Sequence, residues 1–169
     1  MAHDHTQHEG AEKLYAMLKD IKVAMMTTVE PDGTLHSRPM WNHCADESGD
    51  LWFFTRERAP KVRELSKDAQ VNLAFADPSG QNYVSISGTA EIVRDQAKVK
   101  EFWSEPLRTW FPKGSDDPDI ALIRIHPAGG EYWDSPSRTV MQLYGYAKAR
   151  LTGEQPTELA DNKKVSLTA

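Results

Sequence analysis

Apolar residues recur at Leu14, Met17, Leu18 and Ile21, a helical spacing that predicts one amphipathic helix over residues 11–21. Residues 23–29 then alternate and are rich in β-formers, Glu30-Pro31-Asp32-Gly33 supplies a turn, and residues 34–43 run extended, which together predict a β-hairpin. A second turn over residues 45–50 leads into Leu51-Trp52-Phe53-Phe54-Thr55, an aromatic strand suited to a pleated, half-buried surface. Pro60 opens a helix with Val62, Leu65 and Ala69 on one stripe, because proline at the first helical position gives up only a donor that has no partner there.

Residues 71–76 form another strand and Asp77-Pro78-Ser79-Gly80 another turn. Residues 83–93 show the clearest alternation: Val84, Ile86, Ala90 and Ile92 point one way, Tyr83, Ser85, Ser87, Thr89 and Glu91 the other, and Gly88 marks a bulge or corner. Residues 95–104 read as a helix with Val99, Phe102 and Trp103 at core spacing, followed by an irregular stretch over 105–118. Strands follow at 120–126 and, after a break at Gly129-Gly130, at 131–134; residues 137–151 can form a last helix. Six or seven short strands, joined by hairpin turns rather than crossovers, predict a mainly β fold: an antiparallel barrel with peripheral helices. Its domain spans residues 10–151, between a polar N-terminal tail (1–9) and a C-terminal tail (152–169) that is also expected to be disordered.

A length of 169 residues fits one domain that buries its own core. No apolar run approaches the ~20 residues of a membrane span. A formal charge of -5 argues against a general nucleic-acid surface, which needs clustered Lys and Arg, yet leaves room for one small anionic ligand. A single cysteine, Cys44, excludes an internal disulfide framework; with no secretory signal at the start, a cytoplasmic protein is expected. His3, His5 and His8 lie where nothing periodic would fix a ligand geometry, and no metal centre is expected.

Two segments carry candidate chemistry. In Phe53-Phe54-Thr55-Arg56-Glu57-Arg58-Ala59-Pro60-Lys61 a strand passes through a basic turn into a helix. A helix N-terminus offers free N–H groups and partial positive charge, so a phosphate there, flanked by Thr55 and Lys61, gains hydrogen bonds and Coulomb attraction. A solvated basic loop with an ordinary helix-starting proline shows the same residues. In Leu35-His36-Ser37-Arg38-Pro39-Met40-Trp41 a proline interrupts a regular strand, so this strand is an edge, a bulge or a place where a ligand replaces a neighbouring chain. Arg38, on the face opposite Ser37 and Pro39, could reach a phosphate with both prongs of its guanidinium, or simply be solvated on an edge guarded by proline.

The strand Ser37-Arg38-Pro39-Met40, the strand Phe54-Thr55 leading into Pro60-Lys61-Val62, and Val84-Ser85-Ile86-Ser87-Gly88-Thr89-Ala90 resemble the FMN-binding split barrel of pyridoxamine 5′-phosphate oxidase-like proteins. Trp110-Phe111-Pro112-Lys113-Gly114, Asp116-Asp117-Pro118-Asp119 and Glu131-Tyr132-Trp133-Asp134 resemble the bacterial general stress protein branch of that superfamily. The likeness spans about residues 11–150. It implies a homodimer with cofactor sites at the subunit interface. It also implies that Arg38 and Lys61 hold an FMN phosphate with Thr55 assisting, while Ser37, Pro39 and Met40 lie along the isoalloxazine ring. Tyr83 or Asn82 falls near a polar contact to the flavin, and Trp110 and Trp133 are walls of the pocket or, alternatively, packing residues. FAD or a deazaflavin would fit the same implied barrel.

Cys44 and His43 are adjacent in a strand and so point to opposite faces, which makes a buried, inert cysteine the expectation. Asp116, Asp117 and Asp119 read as turn and cap chemistry. If FMN binds, no general acid or base is compulsory and no catalytic residue is assigned. The resemblance then implies an oxidoreductase passing electrons from reduced nicotinamide to a small-molecule substrate, with a non-catalytic flavin-binding stress protein as the alternative. Against vitamin B6 oxidase activity, the sequence ends Lys163-Lys164-Val165-Ser166-Leu167-Thr168-Ala169 where that enzyme has an Arg-Leu-x-Pro-like arm.

Overall fold

The computed structural model describes residues 2–41, 44–134 and 161–167, with only the backbone described for residues 2–7, Cys44 and Asp161. The elements are α1 (Ala2–Leu18), β1 (Val23–Val29), β2 (Leu35–Trp41), β3 (Cys44–Ala45), β4 (Leu51–Arg56), α2 (Pro60–Lys67), β5 (Gln70–Asp77), β6 (Asn82–Val93), α3 (Gln96–Phe102), β7 (Ile120–Asp134) and β8 (Asp161–Ser166). A single 3-10 turn, Glu105–Thr109, lies between α3 and β7. All eight strands belong to one antiparallel sheet, seven in the order β2-β1-β5-β6-β7-β4-β3 and the eighth, β8, paired with β7 off that path. The fifteen-residue β7 organises it: β6 pairs along one edge, while the other edge pairs with β4 over Ile120 to Ile125 and with β8 over Gly129 to Asp134. The ladder does not close among the described residues, so β2 and β3 are its two ends.

Alternation explains which side is inside. Ala24, Met26 and Thr28 of β1, Leu73 and Phe75 of β5, and Val84 and Ile86 of β6 turn inward with Leu14 and Leu18 of α1 to make the main core. β4 departs from alternation because both of its faces are covered. Leu51 and Phe53 join that main core, whereas Trp52 and Phe54 pack with Val99, Phe102, Leu107, Phe111, Ile120 and Leu122 in a second one. Trp52 stands 5.0 Å from Phe102 ring to ring, and its indole N–H donates to Asp46 at 2.8 Å. The expectation of a half-buried aromatic strand is thereby corrected: residues 51–55 are buried throughout, and each large side chain hidden this way contributes about 1.5–3 kcal/mol.

Gly88 sits at the register shift between β6 and β7, as its place in the alternation predicts. A Cβ there would lie 2.2 Å from the carbonyl oxygen of His126, a backbone atom that cannot step aside, so only glycine permits this approach.

Four further expectations change. The polar N-terminus is not a separate tail, since α1 starts at Ala2 and ends at Leu18, leaving Ile21 beyond the helix. Gly129-Gly130 do not break the chain: they continue β7, and a side chain at Gly130 would meet Leu14 at 2.6 Å. Part of the C-terminal segment is β8, whose Val165 is buried under α1 against Gly10. The irregular stretch contains the 3-10 turn and a buried Asp117, whose carboxylate accepts from the Asp119 N–H at 3.0 Å. The helix predicted over residues 137–151 and the expectation that the His43 and Cys44 side chains face opposite ways, with Cys44 buried, lie outside the described residues. Among the described residues no helix is long and apolar enough to cross a membrane.

Candidate functional site

β4 ends where its double burial ends, at Arg56, and the chain turns over residues 57–59 into α2. Ala59 occupies the N-cap in extended conformation and gives no side-chain cap, and Pro60 follows without an N–H. Val62 donates to the Ala59 carbonyl at 3.0 Å, whereas the Lys61 N–H has no acceptor among the described residues. Beside this uncapped helix start lies the buried Thr55, with 3% of its surface exposed and a hydroxyl that has no hydrogen-bond partner among the described residues. A buried hydroxyl left unpaired costs roughly 1–3 kcal/mol, a cost that an incoming acceptor removes.

Thr55, Ala59 and Lys61 line one cavity of about 710 Å³, together with Val23, Pro39, Met40, Trp41, Phe54, Arg56, Arg58, Leu107, Thr109, Trp110, Phe111 and Asp119. Its size suits a small organic ligand, and its lining combines the charged side chains of Lys61, Arg56, Arg58 and Asp119 with an apolar, aromatic remainder. Burial pushes the Lys61 ammonium below the ordinary lysine pKa, Arg38 pushes it further down, and Glu64 opposes both. A phosphate would reverse the balance by supplying the negative charge that this half-buried cation lacks.

Behind Lys61 is a buried polar cluster. Arg38 donates to Thr28 at 2.6 Å and to Glu64 at 2.7 Å, and Thr28 donates to the same Glu64 oxygen at 2.7 Å. Side chains of Arg38 and Glu64 are 13% and 3% exposed, so each charge depends on the other. Glu30 and His36 approach the same carboxylate, one ligand atom from each lying within 4.8 Å of the others. Arg38 already draws on the Glu64 charge, which makes this cluster a counter-ion to the site's cations rather than a metal centre.

The sequence-derived candidates separate into two sets. Thr55, Lys61, Pro39, Met40 and Trp110 are brought together in the cavity. Arg38 is not on its lining but stands behind Lys61, engaged by Glu64 and Thr28, which corrects the picture of a free guanidinium. Ser37 lies on the outer face, where its hydroxyl shares a 2.7 Å hydrogen bond with Thr27. Tyr83 pairs with Trp133 across β6 and β7, and Asn82 keeps a buried, unpartnered Oδ1 beside them; none of the three reaches this cavity within one chain. Pro39 is on β2, an end strand of the sheet, so of its three sequence readings the edge is the one realised. Sequence reasoning missed Arg56, Arg58 and Asp119 as lining residues. The arginines were visible in the basic turn, but the 3.3 Å pair between Arg56 and Asp119 joins positions 63 apart and left no local signal.

A family model described as pyridoxamine 5′-phosphate oxidase like matches residues 9–157. The chain belongs to this family. It is 29% identical to Protein bli-3 of Neurospora crassa, over 85% of this chain and 74% of that one. Among solved structures it is similar to a protein assigned as general stress protein 26 from Jannaschia sp. CCS1, with 27% identity, a TM-score of 0.74, and coverage of 94% of this chain and 99% of the other. A protein assigned to the general stress family from Xanthomonas campestris pv. campestris is 30% identical with a TM-score of 0.66, covering 77% and 90% of the two chains. The split-barrel architecture expected from sequence is therefore that of the family.

Lowered lysine basicity has a consequence for stability. Below the native pKa of Lys61 the folded and unfolded states are both protonated and the full burial penalty acts; as pH rises toward the ordinary lysine value of about 10.4, the folded state releases its proton first and stability gains. Lys61→Met removes the penalty, so it is expected to raise the denaturation midpoint at neutral pH by an amount that shrinks as pH approaches that value. Urea unfolding of both proteins across this range measures it; a pH-independent difference would contradict the assignment.

Proposed function

We propose that the protein binds FMN and works as an oxidoreductase that takes electrons from a reduced nicotinamide and delivers them to a small acceptor. The observation that carries this reading is the unpartnered Thr55 hydroxyl, buried beside Lys61 and the uncapped start of α2. An orphaned donor, a cation lacking negative charge and a free helical N–H suit a phosphate monoester. Lys61, Thr55 and the Lys61 N–H would hold the phosphate, and Arg38 stands behind them with N–H donors beyond those given to Thr28 and Glu64. Pro39, Met40 and Phe54 line the apolar part that would take the ring.

When bound, the flavin supplies the electron chemistry. The chain's own residues bind and orient it and exclude water with their apolar walls. Asp119 is the only carboxylate among the described lining residues, and it is paired with Arg56. FAD, a deazaflavin and a non-catalytic flavin-binding role share the phosphate chemistry, and they are outcomes of the same titrations. Steady-state oxidation of reduced nicotinamide by the loaded protein separates an enzyme from a binder.

The protein is also proposed to be a homodimer. Val23 and Met25 of β1, Leu35 of β2 and Tyr83 of β6 are all more than 40% exposed on the outer side of the sheet. A second copy covering this face would remove that apolar surface from water. It would also give Tyr83, Asn82 and Trp133 a route to a cavity that they do not reach within one chain.

Lys61→Ala and Thr55→Val are each expected to weaken FMN while leaving riboflavin nearly unchanged, by about 1.5–3 kcal/mol for the charged contact and less for the hydroxyl. Fluorescence titration of both ligands measures this, and equal losses for the two would overturn the phosphate assignment. Sedimentation equilibrium is expected to give twice the 19.0 kDa chain mass, with Met25→Arg shifting the population to monomer. A wild-type monomer would refute the dimer.

A further inference from the structure

We propose that Arg56 and Arg58, together with the Trp41–Trp110 pair, form a second binding position in the same cavity, for a planar ring that carries phosphate: the nucleotide that brings electrons to the bound cofactor. This rests on the flavin reading above and adds the residues that recognise the second ligand.

The cavity's charge is divided between two positions. Lys61 feels Arg38 and Glu64 at the head of α2. Arg56, at the end of β4, has a different set of neighbours that fix it from three sides: it pairs with Asp119 at 3.3 Å, donates to the Trp110 carbonyl, and stands 5.3 Å from the centre of the Phe111 ring. Holding a guanidinium this way removes much of the side-chain entropy that a ligand would otherwise cost, and only two of its five N–H donors are engaged. Arg58, two residues on, has no partner among the described residues. Among the described lining residues three cations face one carboxylate, in a chain whose formal charge is -5, so this lining is a positive island that concentrates anions.

The neighbouring aromatics indicate what the anion is attached to. Trp41 and Trp110 meet ring to ring at 5.2 Å and a tilt of 60°, yet 45% and 46% of their surfaces remain exposed. Two exposed indoles beside two arginines provide stacking for a flat ring and charge-assisted donors for its phosphate. A free inorganic anion would use the arginines and ignore the indoles; an uncharged aromatic would do the reverse. Only a ligand with both parts uses the whole surface.

The experiment takes the flavin-loaded protein and titrates it with ADP-ribose, which has base and phosphates but no redox chemistry, and with adenosine, which lacks phosphate, following tryptophan fluorescence. ADP-ribose is expected to quench and to bind at least about tenfold more tightly than adenosine. Arg58→Ala, at an exposed position with no structural partner, is expected to reduce the ADP-ribose affinity about tenfold while leaving adenosine and FMN unchanged. The inference is overturned if ADP-ribose binds no better than adenosine, if Arg58→Ala leaves its affinity intact, or if ADP-ribose displaces the flavin, since the two cationic positions would then serve one ligand. Failure of the flavin itself to bind refutes the proposed function instead, and the same titration of the unloaded protein then decides whether Arg58 recognises the nucleotide.

Discussion

Burial of β4 on both faces is the constraint on which the rest of the molecule depends. A strand enclosed between two apolar cores has no solvent side on which to place a charge, so its first charged residue, Arg56, marks where the enclosure stops. Thr55 is consequently the last buried position before the turn, and the three residues 57–59 are all the chain has to enter α2. The buried hydroxyl and the helix start are adjacent because the core ends where it does. Pairing of Leu51 to Arg56 with Ile125 to Ile120 holds the strand in that register, and a slip of one residue would exchange the contents of the two cores.

Charge is organised around the same point. Glu64 projects from the buried side of α2 to meet Arg38 and Thr28, so the helix whose first turn presents Lys61 to the cavity is itself fixed by an ion pair one turn later. Removing two charges from water is worthwhile only when they are paired and hydrogen-bonded, and here three hydrogen bonds of 2.6–2.7 Å join Arg38, Thr28 and Glu64. Burial and Arg38 both disfavour the Lys61 charge, and Glu64 opposes them only in part. The phosphate proposed above would supply negative charge at that point.

Much of this was legible in the sequence, for physical reasons that can be assigned residue by residue. Alternation in β6, the glycine at its bulge, the proline on an end strand and the proline opening α2 are local signals, set by backbone geometry within a few residues. The family resemblance then brought Thr55, Lys61, Pro39, Met40 and Trp110 to one place. What was not legible depends on distant partners. The run Leu51 to Thr55 reads as half-buried until α3 and the 3-10 turn are seen to cover its second face. Polar stretches at both ends look like solvated tails until α1 and β8 pack on each other through Gly10 and Val165. Arg38 looks free until Glu64, 26 residues away, claims it.

Absorption spectroscopy of the purified protein, incubated with FMN if it is isolated colourless and then dialysed, decides whether the cavity holds a flavin. Flavin bands are expected to stay with the protein, and mass spectrometry of the heat-released chromophore is expected to return a phosphorylated flavin. Protein that emerges from dialysis without colour, at full folding by circular dichroism, would contradict this expectation.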